Sequence, residues 1–487
     1  MINFNLKIML PEIFLFLWAL VVIAYDLGTR RRHSRTIGYL TMFGIAVAGV
    51  LLALYHGGLS FGSMFQSDQL AVFFKIIFLG SAFMAVGSSF DIAHHKIQHH
   101  RGEYYGLILF STVGMMFLSS ASELISLYIG LELTTIPLFV LAAYYKDDKI
   151  SVEAGLKYMI IGAFSSAILL YGLSLLYGMT GTTDIIWIKI ELAKTFLRWG
   201  KIGPGLILAF VMIMAGIGFK LALVPFHMWA PDVYQGAPTP ITAFLSVGSK
   251  AAGVVAFARI FVNGLISFAT DVMRPLDWGI ILAVLASAAM IIGNITALRQ
   301  RNIKRMLAYS SIAQIGYVMV GMVAANTMGI ASVGFYMFIY LFANMGAFAA
   351  ATIFHDKTGS DGIISYSGLS KTSPVFAAFL TIFLLSLAGI PPLGGFVAKY
   401  LVFAAGIQAG YTWLVILALL TAVVSLYYYV LVVKMMYFSS ETPTFQIKPS
   451  FPANLVLLLG VVGLFLFGIF PSPILDFAFE TAKVFAF

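Results

Sequence analysis

Leu221-Ala222-Leu223-Val224-Pro225 interrupts one long apolar run, and Leu387-Ala388-Gly389-Ile390-Pro391 interrupts another with nearly the same pattern. A proline inside a helix removes a backbone hydrogen bond and clashes with the preceding turn. Each run is therefore expected to be a broken helix, the second deepened by Pro392, Gly394 and Gly395. At membrane depth, backbone groups freed by a break survive only where protein or water satisfies them. Broken spans in corresponding positions of two halves point to an inverted-repeat transporter with a polar cavity at each break, where ions move.

Composition makes these runs membrane spans. The 487 residues are 61% hydrophobic and 10% charged, with a mean hydropathy of +0.97. A water-soluble domain with that composition would expose large apolar patches, so the solvent for most of the chain is lipid. Dividing the length by the roughly 20 apolar residues and short loop of each span gives roughly fourteen spans. The apolar runs lie near 9–25, 38–56, 69–90, 105–120, 122–144, 155–178, 205–230, 240–266, 276–297, 306–325, 330–354, 374–407, 411–437 and 453–473. The amphipathic stretch 189–201 is expected on the surface, and 374–407 is too long to cross once unbroken. The first run lacks a basic leader and a small-residue cleavage site, so it reads as a retained span.

The net charge of +9 does not indicate nucleic acid, because the Lys and Arg residues are scattered singly through short loops. Most of the 29 Lys and Arg residues, including Arg30, Arg31, Arg32, Arg35, Arg299, Arg301, Lys304 and Arg305, fall in loops on the side opposite the termini. By the positive-inside rule both termini are expected to be extracytoplasmic. The absence of cysteine excludes disulfides, thiolate zinc sites and Cys-ligated iron–sulfur clusters, so any redox chemistry belongs to a partner.

The few charges inside the runs are the candidate site. Glu132 sits mid-span, and burying a carboxylate there costs at least ~2.5 kcal/mol, so such residues are functional by default. Lys220 stands about one turn before Pro225, too far from either end to snorkel. Lys250 joins a polar stripe of Thr242, Ser246 and Ser249, and Lys399 follows the second break by two turns. A lysine titrates near ~10.4 in water, falls when desolvated and rises beside a carboxylate, so moving Glu132 relative to Lys220 would switch which group holds a proton. Pushing one proton against 100 mV costs ~2.3 kcal/mol, and no nucleotide loop or cofactor motif is present to supply it.

Other residues carry weaker readings. Lys157 begins its span and suits anchoring as well as function, while Lys75 and Arg259, nearer span ends, read as anchors. His227 either accepts protons or packs; the group His94, His95, His99 and His100 lacks the acidic partners of a metal site. Asn294, Gln314 and Asn344 serve either as hydration points or as interhelical hydrogen-bonding groups. Glu132 reads as the only deeply buried carboxylate, which disfavours a sodium site.

The stretch Gly218-Phe219-Lys220-Leu221-Ala222-Leu223-Val224-Pro225-Phe226-His227-Met228-Trp229-Ala230-Pro231-Asp232-Val233-Tyr234-Gln235-Gly236-Ala237-Pro238-Thr239-Pro240 resembles the antiporter-like subunits of respiratory complex I. The likeness covers nearly the whole chain. Within that family the chain is most similar to the N-type subunits of NADH:quinone oxidoreductase, through Leu10-Pro11-Glu12, the compact length and Lys399. The resemblance implies an all-α polytopic fold of about fourteen helices. Three helices would fill 1–104, inverted five-helix repeats, each with a Pro-broken helix, would fill 105–266 and 267–437, and a last helix would fill 438–487. It implies a subunit without its own redox centre, working in a proton-translocating complex of the bacterial inner (plasma) membrane. FMN, iron–sulfur clusters and quinone would sit in partner subunits, alongside other antiporter-like and small membrane-arm subunits. Glu132 and Lys220 would modulate Lys250, with Lys399 as a terminal relay. An Mrp-type cation/proton antiporter subunit is the rival reading, and a purely structural scaffold explains the helices but not four deep charges.

Overall fold

The computed structural model describes residues 5–29, 34–95, 97, 100–199, 203–266 and 278–485. In chain order, α1 (Leu10–Gly28) and α2 (Ser34–Leu54) lead through an antiparallel hairpin, β1 (Gly58–Ser60) and β2 (Phe65–Ser67), into α3 (Gln69–Ser88). There follow α4 (Arg101–Ser120), α5 (Leu124–Ala142), α6 (Lys149–Thr180), α7 (Ile185–Trp199), α8 (Pro204–Leu221) and the short α9 (Trp229–Gly236). Thr239–Phe244, Leu245–Ser249, Lys250–Phe257 and Ala258–Ile266 run on as one helix, α10, whose second and fourth segments are wound as π-turns. The remainder comprises α11 (Trp278–Ala297), α12 (Ile303–Ala324), α13 (Thr327–Thr358), α14 (Pro374–Ala388), α15 (Gly394–Gln408), α16 (Thr412–Phe438), α17 (Phe451–Ile469) and α18 (Ser472–Ala482). Several starts are set by side chains that accept from otherwise unpaired backbone N–H groups: Asp68 for α3, Asp148 for α6, Asn302 for α12 and Asn326 for α13.

Twelve helices among the described residues are long and apolar enough to cross a membrane. They correspond to twelve of the expected runs. The run at 105–120 is α4, which opens on Arg101 and Glu103 and carries Ser111, Thr112, Ser119 and Ser120, and is buried by its neighbours along most of its length. The run at 374–407 is the pair α14 and α15, each 15 residues long and joined at the break. Helices apolar on every face belong inside a bundle. Accordingly α3, α10, α12 and α13 are buried almost throughout and form the centre, while α5, α6, α11, α16 and α17 turn exposed Leu, Ile and Val outward. α18 lies beyond the last run and packs on α3 and α13, an element that the apolar pattern did not reveal.

The two breaks share one local form. α8 ends with Ala222 at φ 54°, its N–H bonded to Gly218 O, and Leu223 N also donates to Gly218 O at 2.8 Å. α14 ends with Gly389 at φ 89°, its N–H bonded to Leu385 O, and Ile390 N donates to Leu385 O at 3.0 Å. Both are left-handed caps that return two amides to the last turn. They align Ala222 with Gly389, and hence Pro225 with Pro392, so the sequence match of Pro225 with Pro391 is one residue out of register. Cap geometry, not residue identity, sets the correspondence. The peptide bonds Val224–Pro225 and Pro391–Pro392 are both cis.

The amphipathic stretch expected on the surface is α7, with Ile185, Ile188 and Leu192 buried and Ile186, Trp187 and Leu197 exposed. Lys201, Arg30, Arg31, Arg32 and the expected 266/267 boundary's following residues lie outside the described residues.

Candidate functional site

Glu132 lies at the centre of α5 and Lys220 in the last turn of α8, and both line one narrow cavity of about 10 Å³ with Thr135, Ser165, Ser166 and Gly216. That volume is on the order of a single water. The two charges make no direct ion pair. Lys220 Nζ donates to Thr135 Oγ1 at 2.5 Å, and Ser166 Oγ donates to Glu132 Oε1. The lysine is buried, 2% exposed. Glu132 is only partly buried, because it falls on the outward stripe of α5 with the exposed Ile125, Ile129 and Ile136. The expectation of a deeply buried carboxylate is thus corrected: helical spacing puts Glu132 at the flank.

Lys250 follows the π-turn of α10 and is 1% exposed. Its Nζ donates to Ser311 Oγ at 2.5 Å and Ser311 O at 3.0 Å, and lies 5.9 Å from the centre of the Tyr234 ring. π-turns often mark functional positions, since the extra residue re-aims the side chains that follow. Of the polar stripe, Ser246 accepts from Asn344 Nδ2 at 2.6 Å and Thr242 donates to Tyr234 O at 3.0 Å.

Lys399 on α15 reaches back across the second break. Its Nζ donates to Leu387 O at 2.9 Å and Ala388 O at 3.0 Å, carbonyls left without helical partners where α14 ends. A cation suits the negative end of a helix. The Tyr317 ring lies 5.0 Å away. Gln314 Nε2 donates to the same Leu387 O at 3.0 Å and to Tyr429 Oη at 3.3 Å, while Ser310 and Tyr429 bond to each other and Tyr336 donates to Gln314 Oε1. On α12, Ser311 accepts from Lys250, and Gln314, one turn on, shares the Leu387 carbonyl with Lys399, whose ammonium faces the ring of Tyr317 on the same helix.

Hydroxyls both donate and accept, so Thr135, Ser311 and Tyr429 are chemically able to pass protons, whereas the carbonyls at Lys399 only hold an ammonium in place. Glu132 and Lys220 share a cavity; Lys250 and Lys399 are tied to each other through α12 and not to that cavity.

Two further expectations are overturned. Lys75 is not an anchor: it is fully buried, with Nζ 2.6 Å from Glu12 Oε1 and 4.8 Å from the Phe65 ring of the hairpin that covers this end of α3. Nor is Arg259, 2% exposed, which holds Asp68 through both oxygens at 2.7 and 2.8 Å and Ser119 O at 2.8 Å. Glu12 and Asp26 are more buried carboxylates than Glu132. Nothing in the linear pattern joins these partners, since they come from helices that meet only in the folded bundle. Lys157 pairs with Glu153 at 2.7 Å and Asp232 at 2.9 Å, and His227 is buried beside the first break. Asn294 is bonded through both ends of its amide, donating to Met290 O and Tyr317 Oη and accepting from Tyr428 Oη. His99 and the side chains of His94 and His95 lie outside the described residues, and His100 Nδ1 stands 3.1 Å from Glu103 Oε2.

The family described as NADH:quinone oxidoreductase/Mrp antiporter, TM, matches residues 121–425. Subunit N of the NADH-quinone oxidoreductase of Moorella thermoacetica is 42% identical over 488 residues, covering 99% of each chain. A chain of respiratory complex I from Thermus thermophilus with bound aureothin superposes with a TM-score of 0.79 at 30% identity, over 96% of this chain and 98% of that one. A chain of the Mrp complex from Dietzia has a TM-score of 0.83 at 20% identity, over 99% and 98%, a likeness of fold alone.

Proposed function

The chain belongs to the NADH:quinone oxidoreductase/Mrp antiporter transmembrane family, and from that premise we propose that it is the N-type, proton-translocating membrane subunit of an NADH:quinone oxidoreductase. Electron transfer takes place in partner subunits that carry FMN, iron–sulfur clusters and quinone; this chain, without a redox centre of its own, converts the resulting charge shifts into proton movement. It sits in the bacterial plasma membrane among other antiporter-like and small membrane-arm subunits, with both termini extracytoplasmic. The division into 1–104, 105–266, 267–437 and 438–487 belongs to the same reading and is supported by the matching caps of the two breaks.

The observation that carries the reading is the placement of Lys220, Lys250 and Lys399, each at least nine-tenths buried and each held by neutral oxygens. A lysine without a bonded counter-charge is costly at membrane depth and marks a proton or ion path. Glu132 and Lys220, which share the first cavity, modulate Lys250, and Lys399 receives the proton at the second break. An Mrp-type antiporter subunit shares the fold, but the full-length identity to a quinone oxidoreductase subunit supports the redox-linked reading.

Gentle-detergent purification of the tagged chain, with mass spectrometry of its partners and an NADH:quinone oxidoreductase assay, tests this. Flavin and iron–sulfur subunits in an active complex are expected. Co-purification with small membrane subunits only, without redox activity, would overturn the reading in favour of antiport.

A further inference from the structure

Asp232, on α9 between the two halves of the first break, carries a tie that the proton path above does not use. Its Oδ2 accepts from Lys157 Nζ of α6 at 2.9 Å and its Oδ1 from Arg305 Nη1 of α12 at 2.7 Å. Arg305 Nη1 also donates to Gln235 Oε1 at 3.0 Å, and Lys157 is braced by Glu153 at 2.7 Å, i to i+4 on α6. One carboxylate thus joins a helix before the break to a helix beyond α10. Burial pushes the Asp232 carboxyl up, and hydrogen bonds from Lys157 and Arg305 more than offset it, keeping it below the usual carboxylate range.

Stability does not account for the arrangement. The Asp232 side chain is 37% exposed and its partners 40% and 29%, and ion pairs this open contribute little to folding. α9 is held by other means: Trp229, Ala230, Val233 and Tyr234 are buried, and Trp229 stacks on Tyr158 with centroids 4.7 Å apart. What the tie controls is register. Trp229 Nε1 donates at 3.0 Å to the carbonyl of Phe219, the residue before Lys220. Two residues after Asp232, the Tyr234 ring underlies Lys250. Arg305 itself begins the helix whose Ser311 holds Lys250.

We propose that Asp232 is a positioning residue for proton transfer, fixing α9 between Lys157 and Arg305 so that Lys220 keeps its place against Thr135 of α5 and Lys250 its place against Ser311 of α12. The inference rests on the proton-translocating reading above. Proton-transfer geometry is steep, and a misplacement of about 1 Å can cost on the order of a hundredfold in rate.

The test uses the whole complex in sealed vesicles, comparing the parent with Asp232→Asn, Asp232→Glu, Arg305→Gln and Lys250→Ala. Expected are at least a threefold fall in proton pumping for Asp232→Asn and Arg305→Gln, with assembly and thermal unfolding as in the parent, and recovery of at least half of the pumping in Asp232→Glu. A merely structural role would shift thermal unfolding and would not be rescued by Asp232→Glu. If Asp232→Asn fails to assemble, Arg305→Gln alone decides, because it cuts only the tie to α12. Pumping at the parent rate in the assembled tie variants, with loss in Lys250→Ala, overturns this inference alone; parent pumping in Lys250→Ala overturns the proposed function instead.

Discussion

Glu12 Oε1 of α1 stands 2.6 Å from Lys75 Nζ of α3, and neither side chain is exposed. The Phe65 ring closes over the ammonium and stops it from reaching the headgroups. Removing one partner leaves an uncompensated buried charge, a loss of about 3–5 kcal/mol, whereas replacing both by apolar residues of similar volume is far milder. Glu12→Gln and Lys75→Met should each lower the unfolding temperature and the yield of assembled complex, and Glu12→Leu with Lys75→Met should recover most of both. Equal thermal scans for the parent and either single variant would show that the pair does not hold α1 on α3.

Lys250→Ala removes the central carrier and little packing. Vesicles with the assembled variant should acidify several-fold more slowly than the parent, and normal acidification would sink its role. Glu132→Gln keeps a group able to accept from Ser166 while deleting the charge near Lys220. It should also slow pumping several-fold, and equal damage from Glu132→Asp would implicate geometry as well as charge.

Gly395 is confined by backbone: a Cβ there would meet Ser386 O at 1.8 Å. Gly395→Ala must push α15 off α14, breaking the Gly395 N to Ser386 Oγ bond and the grip of Lys399 on Leu387 and Ala388. Overpacking of this kind costs about 1–3 kcal/mol or more, so assembly and pumping should both fall. Gly178→Ala is the control, since nothing lies within 4 Å of its added methyl. Unfolding at the parent temperature in Gly395→Ala would refute the close approach.

Asp361, in the loop after α13, accepts from His355 Nδ1 at 2.9 Å and lies 3.4 Å from Lys304 Nζ. Burial pushes its carboxyl up, but the His355 hydrogen bond and the Lys304 charge more than offset this and hold it below the ordinary range. A depressed carboxylate contributes stability above its unfolded pKa of about 3.9, and that contribution is lost as pH falls through the lower folded value. Asp361→Asn should therefore unfold a few degrees below the parent at pH 7, with the gap closing below about pH 4. A gap that persists unchanged in acid would exclude the ionic origin.

Much of the site was legible one residue at a time. Lys220, Lys250 and Lys399 sit far inside apolar runs, and a lysine there has nowhere to go but the interior. Position along a span does not give position in the bundle. Lys75 and Arg259 lie near span ends yet are covered by the hairpin and held by Asp68, and Glu132 lies mid-span yet sits on the outward stripe of α5.

The linear pattern by itself determined the helices, the two breaks and the depth of the lysines, because in lipid each backbone polar group must find its partner within its own segment, and proline denies it one. Partnership was decided only by tertiary packing. Arg259 meets Asp68 across 191 positions, Lys220 meets Thr135 across 85, and Lys250 meets Ser311 across 61. No periodicity within a helix encodes such pairs; they depend on which faces of separate helices come to lie together.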